Sequence, residues 1–297
     1  MKEDLTMAKD MLGDRMKHNY EEVSAHYLTR RTPVIIRLDG VAFHTFTRGF
    51  KKPFDDIFIK TMQQTMQRLC EEIQGCVLGY TQSDEISLLL IDYKRLNSSA
   101  WFDYRVQKLV SVSASMASCY FQKYFALNVD SYLHNAHPDS VTEANYLSAL
   151  RSKKLKSAFF DARAFNVPRE EVTNYFLWRQ LDAERNSVLS LSQSLYSQKT
   201  LQGLSVKELI TKMEDEAGII WGELPTVYKR GSCCIKTCLG LKDTCDETAL
   251  QDFREGKILC PHLTDDMKTG WVIDNEIPRF KDEGREYIEK LLHEEEE

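Results

Sequence analysis

The chain has 297 residues, of which 42% are hydrophobic and 28% are charged, a composition typical of folded globular proteins. Its net charge of −6 argues against nucleic-acid binding through overall electrostatic attraction, although a local basic surface remains compatible with it. No apolar run reaches the roughly 18 residues of a membrane helix. The first residues also lack the apolar stretch of a secretory signal, so we expect a cytoplasmic protein with no membrane contact.

The predicted elements of the first half alternate between helix and strand. A charged helical segment ends near Tyr27 and is followed by TPVIIRLDG, a β-branched apolar run that predicts a buried strand ending at Leu38. Apolar residues at helical spacing predict a helix over 55–73. The segment CVLGYTQSDEISLLLID predicts a β-hairpin with its turn near 82–83, and a second long helix is predicted over 101–125.

The second half begins with AFFDARAFNV, which predicts another strand, and Pro168 fits the first turn of a helix that extends to about Tyr196. Weaker patterns predict a helix over 206–216, a short strand pair over 227–235 and a helix over 279–293. This order of elements predicts an α+β fold, an antiparallel or mixed sheet backed by helices on one face.

The eight cysteines do not show the pattern of a disulfide framework. Three of them lie in apolar-periodic segments, where a thiol usually behaves as a small buried hydrophobe. The other five invite a zinc interpretation together with one histidine: Cys233, Cys234, Cys238, Cys245, Cys260 and His262. Their spacing lacks paired C-x₂-C knuckles, so reduced thiols are the default interpretation and structural zinc is the alternative.

Two acidic motifs are candidates for chemistry, Asp39-Gly40 after the first strand and Ser83-Asp84-Glu85 at the hairpin tip. Because side chains alternate along a strand, Asp84 and Glu85 should face opposite sides, and we choose Asp84 as the one that shares a site with Asp39. Two aspartates that share a pair of metal ions suit phosphoryl transfer. Each motif alone is more often an ordinary turn than a catalytic site, and only the two together with the loop between them indicate catalysis.

The loop between these motifs, VAFHTFTRGFKKPFD, is suited to holding a triphosphate. Backbone N–H groups after Gly40 could bind phosphate oxygens, and Lys51 or Lys52 could neutralise them. A structural hydrogen bond is the alternative role for His44. Some of the aromatic residues in this loop belong to the core by their pattern: Phe43, Phe46 and Phe50.

A family resemblance is carried by RLDGVAFHTFTRGFKKPFD followed by YTQSDEISLLL, with further matches in FDAR, LWRQLD and VYKRGS. This ordered set resembles the tRNA-histidine guanylyltransferase family, and most closely its bacterial and phage-type guanylyltransferase-like relatives, which are 3′–5′ RNA polymerases. The resemblance implies a polymerase-palm-like (ferredoxin-like) antiparallel sheet backed by helices, with helical and small β additions. We expect a palm-like catalytic domain over 1–200 and a C-terminal extension over 201–297 packed on it, or a single domain.

The resemblance also implies roles for individual residues. Asp39 and Asp84 correspond to catalytic carboxylates that hold two Mg²⁺ ions, with the Gly40 carbonyl as a further ligand. The implied nucleotide-binding residues are Gly40, Val41, Ala42, Phe43, His44, Lys52, Asp55, Ser83 and Asp84. The implied contacts with the RNA 5′ end or its triphosphate are Arg105, Lys108, Arg163 and Asn186.

Two departures from the family pattern affect the expected substrate. Val41 stands where the family has an arginine, and 184–190 read ERNSVLS where the histidine-tRNA enzymes have a His-Ile-Asn-Asn-Leu-Tyr-Asn motif. That motif's histidine is associated with reading the histidine anticodon. Its absence favours template-directed repair of 5′-truncated tRNA over strict addition of an extra G to histidine tRNA, which is the alternative.

The expected reaction uses ATP and GTP as substrates, tRNA as partner and, by resemblance, a homotetrameric enzyme. ATP would adenylylate a 5′-monophosphate end, and the 3′-hydroxyl of an incoming nucleoside triphosphate would then attack it. The alternatives from other classes are a non-catalytic RNA-binding module, a nucleotide cyclase on a similar palm, and an interaction protein without activity. The strands carry mostly aliphatic residues, whereas an RNA-binding sheet typically exposes aromatic ones.

Overall fold

The structure is a computed structural model that describes residues 11–138, 140–239, 250–251, 254 and 268–293. The strands in these ranges are β1 Val34–Gly40, β2 Cys76–Gln82, β3 Glu85–Leu90, β4 Phe160–Asn166, β5 Ser232–Leu239 and β6 Lys268–Asp274. They form a six-stranded sheet in the order β4-β1-β3-β2-β5-β6, and each neighbouring pair is antiparallel. The predicted α+β class and antiparallel sheet are confirmed.

The helices with defined bounds vary widely in length. They are α1 Phe43–Phe46, α2 Asp56–Glu72, α3 Val106–Asn135, α4 Val141–Lys154, α5 Arg169–Leu195, α6 Gln198–Leu201, α7 Val206–Ala217, α8 Thr226–Arg230 and α9 Glu286–Glu289. Short 3₁₀ turns lie at Trp101–Tyr104, Trp221–Glu223, Asp282–Arg285 and Lys290–Leu292, and a π turn at Lys17–Glu21. Within the described ranges, no helix combines the length and apolarity needed to cross a membrane.

Helices cover both faces of the sheet, so the expectation of helices on one face is wrong. Ile36 and Leu38 of β1 pack in the core formed with α2 and α3, and we call this side the α2–α3 face. Ile35 packs with Val172 and Phe176 of α5 on the opposite side, the α5 face. Apolar residues follow one another over 34–36 of β1 and 88–90 of β3, and such runs need cover on both sides of the sheet.

The long helices largely follow the sequence pattern. The predicted helix over 55–73 is α2, for which Asp55 is the N-cap because its carboxylate accepts a hydrogen bond from the Phe58 amide at 2.9 Å. α5 confirms the helix that starts after Pro168. α3 begins at Val106 because Phe102 and the residue after it adopt left-handed backbone angles.

The C-terminal third differs most from the prediction. The predicted strand pair over 227–235 is wrong in its first half, because Pro225 and Gly231 delimit the short helix α8, whereas 232–235 form the start of β5. The helix predicted over 279–293 is divided into short turns, and Asp282 has a left-handed φ of 53°. β5 and β6 extend the same sheet as β1 to β4, and the division at residue 200 stays a prediction.

Two adjacent cysteines in β5 face opposite sides of the sheet. Cys233 is buried in the core of the α5 face and Cys234 in that of the α2–α3 face, so the two thiols cannot bind one metal ion together. Burial raises the pKa of both thiols. The other members of the proposed zinc set, Cys245, Cys260 and His262 with the side chain of Cys238, lie outside the described residues.

Candidate active site

Two chain segments meet at one edge of the sheet, at the end of β1 and at the β2–β3 turn. Asp39 lies opposite Glu85 in the β1–β3 register, and the Gly40 amide donates a hydrogen bond to the Asp84 carbonyl at 3.1 Å. Ser83 and Asp84 form the turn, with Ser83 in a left-handed conformation at φ 50°. The structure therefore brings Asp39 and Asp84 together at this edge.

The carboxyl groups of Asp39 and Asp84 lie close enough to interact electrostatically. Burial raises the pKa of Asp84 and the charge of Asp39 raises it further, whereas His44 and the Ser83 hydroxyl, which donates to Asp84 Oδ1 at 3.1 Å, lower it. Neither carboxylate has an ion-pair partner in the part of the chain that the structure describes. Two neighbouring carboxylates without a counter-charge form a site that favours a cation.

The expectation that Glu85 faces away from Asp39 is wrong. Directly opposed residues of an antiparallel pair project to the same side, so both lie on the α5 face. The alternation rule does not apply to Asp84, because this residue lies in the turn and not in a strand. Glu85 instead pairs with Arg179 of α5, whose Nε and Nη2 each donate to a carboxylate oxygen at 2.7 Å. Asp84 is therefore the acid left available beside Asp39.

The oxygen donors at this edge fit Mg²⁺. Among the described residues there is no group of three or more His, Cys, Asp or Glu side chains that could hold a metal ion. Mg²⁺, however, is commonly bound through one or two carboxylates, with its remaining ligands supplied by water and substrate phosphates. Asp39 and Asp84 with the Gly40 carbonyl match that requirement, and the two magnesium ions stay a prediction.

A cavity of about 310 Å³ opens beside Asp84, within the size range of small-molecule sites. It is lined by the loop after β1, the β2–β3 turn, the middle of α5 and the region of α8. The predicted nucleotide-binding residues in its wall are Phe43, His44, Lys52, Asp55, Ser83 and Asp84. The structure places Gly40 at the end of β1 and Val41 and Ala42 in the turn that leads into this wall, not in the wall itself.

Close packing at Gly40 shapes the loop after β1. A Cβ at this position would lie 2.4 Å from the Phe43 ring, so only glycine allows the ring to sit there. Ala42 adopts a left-handed φ of 56° at the start of α1. The chain then buries Phe43 in the aromatic core, as predicted for the loop phenylalanines, and leaves His44 exposed at the cavity beside Asp84.

The two lysines of this loop are both exposed and both line the cavity. Lys51 also lies over the Tyr146 ring at 4.8 Å. Asp55 is buried, and its carboxylate accepts hydrogen bonds from the Lys51 amide at 3.1 Å, the Phe58 amide at 2.9 Å and the Tyr146 hydroxyl at 2.8 Å. Asp55 therefore holds the shape of the loop, and Lys51 and Lys52 are its cationic groups at the cavity.

An aromatic pair closes the opposite wall, and sequence reasoning missed it. Phe54 stacks on Tyr228 of α8 with ring centroids 4.6 Å apart and an angle of 5° between the rings. Gly231 follows α8 with a φ of 79°, and a Cβ there would lie 2.2 Å from the Thr81 carbonyl oxygen. The signal was present in VYKRGS, but its β-branched and aromatic residues were assigned to a strand.

The predicted RNA contacts are dispersed. Asn186 of α5 lines the cavity, where its Nδ2 donates to Asp182 Oδ2 at 3.4 Å. Arg163 lies on edge strand β4, directly opposite Arg37 of β1. Arg37 is a second residue that sequence reasoning missed. Its signal was a charged residue inside an apolar strand, two positions before Asp39 and thus on the same face.

Arg105 and Lys108 are not brought to this edge. The part of α3 level with the site is Ser118, whose hydroxyl accepts a hydrogen bond at 3.1 Å from the amide of Phe160, the β4 residue paired with Gly40. Ten helical residues separate Lys108 from Ser118, which corresponds to about 15 Å along the axis. A contact of these two residues with the RNA 5′ end stays a prediction that a single chain of this structure does not explain.

Glu184 lies at the position of the histidine of the anticodon-associated motif. Its side chain is buried and accepts a hydrogen bond from Arg279, and its carboxylate lies 3.7 Å from Arg230 Nε. This position therefore joins α5 to α8 and to the C-terminal segment. A carboxylate used in this way is not available to read an RNA base.

The sheet, the unpaired carboxylates at its edge and the cavity beside them define a nucleotidyltransferase with a palm-like domain. Residues 13–168 match the family model described as Thg1, tRNAHis guanylyltransferase. This match extends over more than half of the chain and includes both acidic motifs. The chain belongs to the tRNAHis guanylyltransferase family, which confirms the resemblance and the enzyme class.

Individual relatives support this assignment over nearly the whole chain. A bacterial tRNA(His) guanylyltransferase (Thg1)-like protein in complex with ATP is 34% identical, with a TM-score of 0.73 over 95% of this chain and 99% of that one. A structure of such a protein in complex with GTP is 32% identical with a TM-score of 0.64, over the same shares of each chain. Protein R259 of Acanthamoeba polyphaga mimivirus is 29% identical over 241 residues, 78% of this chain and 79% of that one.

Proposed function

We propose that the protein adds nucleotides in the 3′–5′ direction to the 5′ end of tRNA, as template-directed repair of tRNA that has lost its first nucleotide. The observation that carries this proposal is the unpaired Asp39–Asp84 couple, of which Asp84 lines the cavity. Similar bacterial proteins were solved with ATP and with GTP, so we expect this cavity to take both nucleotides.

The proposed reaction has two steps. An oxygen of the RNA 5′-monophosphate attacks the α-phosphorus of ATP, pyrophosphate leaves, and the RNA carries a 5′-adenylyl group. The 3′-hydroxyl of an incoming nucleoside triphosphate then attacks the RNA 5′-phosphorus, AMP leaves, and the hydroxyl proton passes to water. A 5′-triphosphate end needs no adenylylation and releases pyrophosphate. The product has one more nucleotide and a new 5′-triphosphate.

The residues of the edge divide this work. Asp39 and Asp84 with the Gly40 carbonyl would hold Mg²⁺, which would lower the pKa of the attacking hydroxyl and neutralise the leaving group. Lys52 and His44 line the same cavity and place positive or hydrogen-bonding groups toward the triphosphate. Because the RNA end is the electrophile, pairing with the opposite strand can select the incoming nucleotide.

Glu184 favours repair over strict addition of G to histidine tRNA. Its buried contacts with Arg279 and Arg230 occupy the position associated with reading the histidine anticodon. We therefore expect similar extension rates for truncated tRNAs with different anticodons. A rate at least about a hundredfold higher on histidine tRNA would instead support the strict guanylyltransferase. This ratio corresponds to a free-energy difference of about 2.7 kcal/mol between the two tRNAs.

The direct test uses purified protein, Mg²⁺, all four nucleoside triphosphates and a 5′-monophosphorylated tRNA without its first nucleotide. The wild type should add the missing nucleotide, and Asp84→Asn should lose about 10³-fold or more in rate. Asp130→Asn is the matched control, because this exposed aspartate lies on α3 and pairs with Lys154. It should extend the RNA like the wild type.

Each alternative predicts a different result in this assay. If Asp84→Asn extends the RNA as fast as the wild type, the assignment of Asp84 is wrong. RNA binding without any extension would identify a non-catalytic binding module. Cyclic nucleotide formed from a nucleoside triphosphate alone would identify a cyclase. The tetramer implied by the resemblance is tested separately by the mass of the purified protein in solution.

A further inference from the structure

The carboxylate pair has a second side, which is open to solvent. The cavity lies toward β2 and β5, where Gln82 and Gly231 line it. On the β1–β4 side, the α5 face carries a group of exposed or half-buried polar and aromatic side chains that we call the shelf: Arg37, Asp161, Arg163 and Trp178. Asp39 follows Arg37 by two residues on the same strand face and therefore lies between the shelf and the cavity.

Trp178 of α5 is a large apolar side chain held in an exposed position, with 52% of its surface accessible. The Arg179 guanidinium lies 4.5 Å and the Arg37 guanidinium 5.8 Å from the centroid of its indole ring. Tyr175 contacts the same indole at a centroid distance of 5.9 Å. These neighbours fix the orientation of the ring and leave part of it open, so a flat ligand could stack on it at low cost in side-chain entropy.

The charge of the shelf favours an anion. Arg37 is the one positively charged residue of β1, and its Nε is buried without a hydrogen-bond partner. Arg163 is its direct neighbour across the β1–β4 pair. Asp161 lies 3.7 Å from Arg163 Nη2 and offsets part of that charge. The shelf therefore offers a guanidinium with unused donor capacity next to an open aromatic ring.

We propose that Trp178 stacks on the 5′-terminal base of the RNA, whose phosphate lies along Arg37 beside Asp39. The inference rests on the proposed function and specifies where the second reactant binds. A nucleic-acid end combines a flat base with an adjacent phosphate, and stacking on an aromatic side chain with a basic group alongside is how proteins hold such ends. The incoming triphosphate occupies the cavity on the other side of Asp84, so the two reactants meet at the carboxylates.

The experiment measures RNA binding without turnover, in the absence of nucleoside triphosphates. The probe is a 3′-fluorescein RNA hairpin with an acceptor-like stem and a recessed 5′-monophosphate, and the readout is fluorescence anisotropy. Trp178→Leu keeps apolar bulk but removes the ring, and it should weaken binding about tenfold or more. Trp178→Phe should remain within about threefold of the wild type, because a benzyl ring still stacks.

A matched control and a modified RNA identify the contact. Leu181→Ala removes exposed apolar surface three residues further along α5 and should leave RNA binding unchanged. An RNA with an abasic 5′-terminal nucleotide should bind the wild type as weakly as normal RNA binds Trp178→Leu. Combining the abasic RNA with that variant should cause little further loss, because both changes remove the same stacked pair.

Three results would overturn the inference. Trp178→Leu could bind normal RNA as tightly as the wild type, or the losses from the variant and the abasic end could simply add. The variant could also change the oligomeric mass and leave RNA binding intact, which would assign Trp178 to a protein contact. If the wild type extends the truncated tRNA in these cases, the proposed function stands without the shelf. If the wild type neither binds nor extends the RNA, both proposals fail.

Discussion

The sheet edge at Asp39 and Asp84 can be compared with a charged layer formed by Glu85 of β3 with Arg179 and Asp182 of α5. Burial raises the pKa of both Asp84 and Glu85, but Glu85 has a cationic partner in Arg179. In the layer, Arg179 donates to Glu85 and also to Asp182 Oδ2 at 3.0 Å. At the edge, Asp84 follows a left-handed turn residue, and the nearby charge of Asp39 adds to burial in raising its pKa. Asp84 and Glu85 are adjacent in the sequence, yet among the residues that the structure describes the carboxylate of Glu85 has a cationic partner and that of Asp84 has none.

This difference separates structural charges from candidate functional ones. A buried ion pair satisfies its own donors and acceptors and leaves no capacity for a ligand. Two close carboxylates without a counter-charge are stable only if the rest of the fold holds them there, and they gain from a cation. The charged residues that matter for chemistry are therefore those that the fold leaves unpaired. This distinction can be tested by variants in the layer and by variants at the edge.

The largest expected effect on stability comes from the layer. Arg179→Ala leaves Glu85 buried without its partner and should lower the free energy of unfolding by about 3–5 kcal/mol. The measurement is urea unfolding followed by circular dichroism. Arg68→Ala is the matched control, because Arg68 pairs with Glu71 on the exposed surface of α2, and its loss should cost less than about 1 kcal/mol. Equal costs for the two variants would contradict the distinction.

A double variant sharpens the same test. Replacing Arg179 by Met together with Glu85 by Leu removes both charges and fills the space with apolar groups. It should recover much of the stability lost in Arg179→Ala, because no buried charge is left unpaired. If the double variant is as unstable as the single one, the cost lies in packing and not in the orphaned carboxylate.

Magnesium should raise the Tm of the protein by binding to the carboxylates of the edge, whereas the paired charges of the layer offer it no site. At about 100 times its dissociation constant, a bound ion stabilises the folded state by about 2.7 kcal/mol, which raises Tm by several degrees for a chain of this size. We expect this shift for the wild type in a thermal scan with MgCl₂, and we expect it to be lost in Asp84→Asn. A shift that persists in Asp84→Asn would place the ion elsewhere.

Much of the edge could be predicted from the sequence because its signals are local. The β-branched run before Asp39, the polar tip of the hairpin and the N-cap position of Asp55 each depend on a few neighbouring residues. The choice between Asp84 and Glu85 could not be made this way. It depends on Arg179, a residue 94 positions away in the sequence, which reaches Glu85 only after α5 has packed on the sheet.

The strands of the C-terminal third were predicted less well for a similar reason. β5 forms its ladder hydrogen bonds with β2 and β6. β2 is far from β5 in the sequence, and a long connection separates β5 from β6. Propensity alone assigned Val227 to a strand, although Pro225 starts a helix there. Trp178 was missed because nothing in its own segment marks it. The charge of Arg37 is visible in β1, but its contact with Trp178 depends on the packing of α5 on the sheet.

The smallest expected effect is the pH dependence of the unpaired aspartate. The pKa of Asp84 is raised in the folded protein, so between its unfolded value of about 3.9 and the raised value the folded state binds more protons than the unfolded state. Stability then falls as the pH rises through this window, as it does for any carboxylate whose folded-state pKa lies above its unfolded value. In urea unfolding without divalent cations, the wild type should lose stability relative to Asp84→Asn as the pH rises from about 4, and the difference should level off above the raised pKa.

Saturating Mg²⁺ should reverse the sign of this stability difference at neutral pH, since the ion then favours the charged form of Asp84. A difference that stays constant with pH would mean that Asp84 is already neutralised within the protein, and the contrast with Glu85 would no longer hold.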